Sequence, residues 1–221
     1  MESYIEKDKK FLPALRVIRV LLVLIAIAVA VRAMLIGSRY ELLNSLSTLL
    51  VIPALALIRH LFRWKGGWQL EFYIYCFCIL SWSIGGALEL YDKVPYFDKV
   101  VHCLSGVFVS LLALALFSML ERRRSPQGEI NATACFFTFF ASMAVAGMFE
   151  LCEYFLSPIA GRDMQHVLET GVSDTMGDMF VCMLGTIVVI LILIRACRGG
   201  RNPFTDAARA FVLQNPAKEK K

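Results

Sequence analysis

MGDMFVCMLGTIVVILILI (Met176–Ile194) decides the fold. After Asp178 it carries no charge, and only Gly185 and Thr186 interrupt its apolar character. An apolar run of roughly 20 residues is what a helix needs to cross a ~30 Å hydrocarbon core. Working outward, five more such runs are found: Val17–Ile36, Leu42–Leu61, Leu70–Leu90, Val100–Leu120 and Ala132–Phe155. The second is the weakest, because Asn44, Ser45, Ser47 and Thr48 lower one half and Pro53 predicts a kink.

Composition agrees. The chain is 58% apolar with a mean hydropathy of +0.63, against roughly 45–50% apolar in soluble domains. No alternating ten-residue segments of a β-barrel are visible, and six spans leave no room for a separate soluble domain. Lys and Arg sort by loop. Eighteen of the 23 fall in the N-terminal segment, the second and fourth loops and the C-terminal tail; Arg32, Arg39, Lys93, Lys99 and Arg162 fall on the other side. Basic residues mark cytoplasmic loops. The expected fold is therefore all-α: a polytopic membrane protein, a bundle of six transmembrane helices with both termini cytoplasmic. Residues 1–16 would form a cytoplasmic segment, 17–194 the transmembrane domain and 195–221 a basic cytoplasmic tail. The first run reads as a retained anchor, since no small-residue cleavage site follows it. In the tail, Thr205 is placed to cap a short interfacial helix ending at Gln214.

Dispersed basic residues offer no continuous face for nucleic acid. The seven cysteines are odd in number, lie mostly in apolar runs and include no CxxC pair, so they read as small hydrophobes.

The function signal is an excess of acid at one end. In this topology ten of the 18 acidic residues, with His102 and His166, lie at the outer end of the bundle. Asp98/His102, Glu150/Glu153 and Asp174/Asp178 are each spaced to share a helix face. Ionisable groups at the edge of hydrocarbon are costly, so they face a partner, a cation or water. His102, Glu150, Glu153 and Asp178 are the candidate catalytic groups and equally the candidate ligands of a divalent metal ion. Carboxylates suit Mg, Ca or Mn, and a histidine among them admits Zn or Fe. Asp98, Asp163, Gln165, His166 and Asp174 are candidate binding residues, with Asp98 orienting His102 and the 156–175 loop covering the site.

Plainer readings stand beside these. Asp98 and Asp174 suit the first turn of a helix, Thr175 and Asp178 have the form of a capping box, and Lys93, Lys99 and Arg162 are available for ion pairs. Glu150 and Glu153 sit at a helix C-terminus, where the dipole disfavours them, so they call for a cation. On α-helix five, Ala141, Ser142, Ala144, Ala146 and Gly147 form a small-residue face, for which Gly106 and Ser110 are the expected partners.

Three segments, YDKVPYFDKVVHCLSG (Tyr91–Gly106), FELCEY (Phe149–Tyr154) and DMQHVLETGVSDTMGDM (Asp163–Met179), resemble the YjdF-type bacterial inner-membrane proteins. More distantly they resemble the VanZ-like membrane proteins. The likeness implies that these polar residues form one site in a plasma membrane. It implies no substrate. Three functions stay open: a membrane enzyme, hydrolysing or transferring a group on a lipid or lipid-linked envelope precursor; a structural protein whose polar cluster locks helices; and an ion- or proton-coupled transporter. Besides the bilayer, no partner or oligomeric state is legible.

Overall fold

The computed structural model describes residues 2–86, 88–126, 129–198 and 202–216. Among these every regular element is helical. The helices are α1 (Glu2–Lys9), α2 (Phe11–Ile36), α3 (Arg39–Phe62) and α4 (Trp68–Cys78), which continues as a π segment, Ile79–Gly86. Then come α5 (Leu90–Lys93), α6 (Phe97–Leu120), α7 (Ala132–Ala160), α8 (Val167–Thr170), α9 (Ser173–Cys197) and α10 (Pro203–Gln214). Five helical stretches are long and apolar enough to cross a membrane: 3–36, which joins α1 to α2, together with α3, α6, α7 and α9.

The expected third span is the one that differs. It is an α-helix for 11 residues and a wider π-helix for 8. Small residues make room for this. A Cβ on Gly85 would lie 2.7 Å from the Tyr91 ring, and one on Gly86 2.8 Å from the Asn44 amide. Pro53 and Pro158 lie inside α3 and α7 without ending them. The others begin or end several residues beyond the apolar runs, because polar first turns are helical too. Asn131 caps α7 by accepting from Ala134 N at 2.9 Å, and Gly37 and Gly161 close α2 and α7 in the left-handed conformation.

The tightest crossing joins α6 to α9. A Cβ on Gly106 would lie 2.1 Å from the Cys182 carbonyl oxygen, and one on Gly185 2.0 Å from that of Cys103. The two backbones touch where side chains are absent, which is how helices associate in lipid. The small-residue face of α7 meets Gly106 as expected, while Gly106 also packs on α9. Gly106 meets α9, and α7 adds Ser142, whose hydroxyl reaches Gly106 O at 3.4 Å and Thr186 Oγ1 at 2.8 Å.

At the basic end, buried polar groups tie the termini to the bundle. Asp8, 1% exposed, accepts from Gly67 N and Gln69 N, both at 2.9 Å, and from Gln214 Nε2 at 2.8 Å. Asn215 brackets Lys65 through two 2.7 Å bonds. The tail helix α10 is thus packed rather than lying on the surface: Ala207, Ala208, Phe211 and Val212 are buried, the first, third and fourth against Leu70, Leu111 and Met119. Its cap is Asn202, which accepts from Thr205 N at 3.0 Å, not Thr205. Arg201, Lys218, Lys220 and Lys221 lie outside the described residues. Nearby, buried Glu71 binds Arg19, Arg59 and the Tyr75 hydroxyl, a second charge cluster that hydropathy alone did not reveal.

Candidate functional site

At the opposite end, α6 and α9 bring Asp98, His102 and Asp178 together. One ligand atom from each lies within 4.8 Å of the others, a group that can hold a metal ion. His102 Nε2 is 3.4 Å from Asp98 Oδ1 and 3.9 Å from Asp178 Oδ1. Spacing explains the first distance, since residues four apart are stacked on one face. The close approach of α6 to α9 at Gly106 and Gly185 explains the second.

A lysine lies at the centre of this group. Lys99 Nζ is 3.2 Å from Asp98 Oδ2, 2.5 Å from Asp174 Oδ1 and 2.8 Å from Asp178 Oδ1. Asp178 has a side chain only 3% exposed, so an unpaired charge there would be costly. The ammonium supplies the counter-charge in the place where the sequence called for a divalent ion. Asp98 and Asp174 do lie in the first turns of α6 and α9, and with Asp178 they also pair with Lys99. The N-cap of α9 is Val172, without a side-chain cap bond, so Thr175 and Asp178 form no capping box.

The expected ligand set of His102, Glu150, Glu153 and Asp178 does not assemble as one group. Glu150 is buried and takes a neutral donor: Gln165 Nε2 reaches its carboxylate at 3.2 Å and its carbonyl at 3.1 Å. The need for a cation at that helix end is met by an amide. Glu153, three residues on, turns to a cavity that His102 and Asp98 also line. Asp163 shapes the loop by accepting from Leu168 N at 2.8 Å, and Asp174 belongs to the Lys99 group. His166 lines the cavity from a left-handed backbone (φ 49°).

The cavity holds about 370 Å³. Tyr40, Asp98, His102, Glu153, Arg162 and His166 make its walls polar; Phe77, Trp82, Val109, Val145 and Phe149 make them apolar deeper in. The π segment turns Ser81 and Trp82 toward it, as π segments do at functional sites. α3 and α7 both contribute walls but touch each other little. The wall residues Val145, Phe149 and Leu156 are 39%, 42% and 40% exposed.

Tyr40, Arg162 and Trp82 were not expected here. Each is ordinary by type, two aromatics and a loop base, and only the fold aims Tyr40 from α3, Trp82 from the π segment and Arg162 from the loop after α7 into one cavity. Arg162 lies over the Tyr40 ring at 4.3 Å and bonds Asp92 at 2.6 Å. Outside the spans, Lys93 and then Arg32 hold the Glu89 carboxyl below the usual carboxylate range. Burial raises the Tyr91 phenol, whose hydroxyl donates to Ser81 O at 3.1 Å.

Asp98, His102 and Glu153 thus share one cavity wall with apolar side chains. Comparison with known proteins adds the family and no activity. No curated protein and no solved structure matches the chain. Residues 16–199 match the model of a family described as predicted membrane proteins (DUF2238), and the chain belongs to that family.

Proposed function

We propose that this protein is a six-span membrane enzyme that hydrolyses, or transfers a group on, a lipid or lipid-linked substrate taken from the outer leaflet. The α4–π unit serves as the sixth crossing: 11 and 8 helical residues reach roughly 28 Å at 1.5 Å per residue. With six crossings both termini are cytoplasmic, in line with the bias of Lys and Arg. The resemblance to YjdF-type proteins supports a single polar site in a bacterial plasma membrane.

The observation that carries the reading is the cavity itself, with His102 and Glu153 in its wall and with α3 and α7, which touch each other little, both lining it; a lipid would enter between them. A chain lying in the apolar part leaves its head-group linkage beside His102. Asp98 orients the imidazole. His102 then takes the proton of the attacking hydroxyl, the new bond forms at the substrate's electrophilic centre, and His102 returns the proton to the leaving oxygen. Lys99 keeps Asp98, Asp174 and Asp178 compensated meanwhile.

A second reading rests on the 4.8 Å grouping of Asp98, His102 and Asp178: a divalent ion displaces Lys99 and activates water. Purified protein in nanodiscs of mixed membrane lipids, followed by mass spectrometry of lipid products, tests the first reading. Wild type is expected to form a product that His102→Ala does not. Equal product from a folded His102→Ala variant would sink it.

A further inference from the structure

Beside the cavity lies a second, open chamber of about 540 Å³, the vestibule, walled by residues that join α2 to α3, the π segment to α5, and α7 to its loop. Among the described residues only Tyr40 and Arg162 line both chambers. The guanidinium stacked on the phenol is therefore the partition between them. Arg162 is also the only Lys or Arg among the described residues lining the inner cavity.

Charge in the vestibule is not balanced. Glu41 meets Arg32 at 2.6 Å, Glu89 meets Lys93 at 2.8 Å and Arg32 at 3.4 Å, and Asp92 meets Arg162 at 2.6 Å. Each acid of the wall has a base. Arg39, exposed on the same wall, has no carboxylate partner among the described residues. With Arg32 and Lys93, which lie outside the wall, neutralising Glu41 and Glu89, the positive charge of Arg39 is left over, on the same wall as an arginine held by a single exposed carboxylate.

We propose that the two chambers are one site for an anionic, phosphate-bearing amphiphile, with Arg162 and Arg39 holding its phosphate at the junction. The head-group occupies the vestibule and a hydrocarbon chain occupies the cavity. Guanidinium groups bind phosphate through paired hydrogen bonds, and the Asp92 carboxylate takes the place of that anion when no lipid is bound. Exchange of Asp92 for phosphate moves Arg162 off the partition and joins the chambers. This inference rests on the reading of the cavity as a lipid site and adds the substrate class.

Trp82 lines the inner cavity and reports a chain within it. Full-length protein is placed in nanodiscs containing acyl-brominated phosphatidylglycerol or, at the same mole fraction, brominated phosphatidylcholine. Quenching of Trp82 is the difference between wild type and Trp82→Phe. Phosphatidylglycerol is expected to quench at a roughly tenfold lower mole fraction, the effect of a charge-assisted contact. Arg162→Ala is expected to bring the two lipids level, and Asp92→Asn to widen the gap. Equal quenching by the two lipids in wild type, or an unchanged preference in Arg162→Ala, overturns the role of Arg162 and leaves the lipid cavity standing. No Trp82 quenching by either lipid overturns both. If Arg162→Ala does not fold, Asp92→Asn decides, and an unchanged preference there overturns the proposal.

Discussion

Replacing Lys99 by Met keeps the aliphatic stem of the side chain and removes the charge that three carboxylates share. Asp98, Asp174 and Asp178 are 3.2, 2.5 and 2.8 Å from the ammonium. Asp178, with 3% side-chain exposure, dominates the cost. Removing one partner of a buried ion pair costs about 3–5 kcal/mol, because the other is left uncompensated. For a chain of this length each kcal/mol moves Tm by about 2–4 °C, so K99M is expected to unfold roughly 6–20 °C below wild type. Thermal unfolding in mild detergent, followed by intrinsic fluorescence, measures this. Two controls make the cause specific. The double variant K99M/D178N, with one charge fewer, is expected to recover about half the loss. A divalent ion at about 100 times its Kd is expected to restore about 2.7 kcal/mol to K99M, since the Asp98–His102–Asp178 group is then open, and little to wild type. A K99M midpoint within 2 °C of wild type, or no recovery in the double variant, refutes the argument. Stoichiometric metal in purified wild type, by elemental analysis, would favour the second functional reading instead.

Other outcomes follow from the same structure. Gly106→Leu forces side-chain atoms into the Cys182 carbonyl; overpacking of this kind costs about 1–3 kcal/mol or more, and detergent unfolding is expected to show a lower Tm, whereas Gly147→Ala, whose Cβ would meet only the Met179 methyl at an ordinary 4.0 Å, is expected to match wild type. Asp8→Ala removes the side-chain acceptor of two backbone donors and one of the two acceptors of the Gln214 amide, at about 1–3 kcal/mol, and limited proteolysis is expected to release the α10 segment earlier. Glu89 is held below its ordinary value by Lys93 and Arg32. Its contribution is thus present above the usual carboxylate pKa of about 4.3 and is lost as pH falls through the depressed value, so Glu89→Gln is expected to unfold slightly below wild type near neutrality, with the two Tm–pH profiles converging on the acid limb.

The five long helical stretches are legible in the sequence, because each carries a mostly apolar run, broken in α3 by Asn44, Ser45, Ser47 and Thr48, and the bilayer length sets the scale. The third expected span is not: hydropathy cannot tell an α-helix from the π-helix that Gly85 and Gly86 allow. The polar end is legible as a depth, since three pairs at helical spacing fall at matching helix ends. Which member of a pair faces inward is a matter of helix rotation. Asp98 and His102 turn to the cavity together, whereas Glu150 and Glu153 part, one to Gln165 and one to the cavity. Lys99 reads as a surface charge beside Asp98 until the Gly106–Gly185 contact brings α9 close enough for it to reach Asp174 and Asp178. Arg162 and Tyr40 are far apart in sequence and become a partition only in three dimensions.

The central claim is that a lipid chain enters between α3 and α7 and ends beside His102. Photo-cross-linking with a phospholipid carrying a diazirine near its acyl terminus, followed by peptide mapping, tests it most directly. The account predicts labels on the cavity-facing residues, Trp82, Val109, Val145 and Phe149 among them, reduced when Val145→Trp fills the opening. Labels confined to the outward faces of the helices, such as Val20, Leu24 and Ile27 of α2, and unaffected by Val145→Trp, would contradict it.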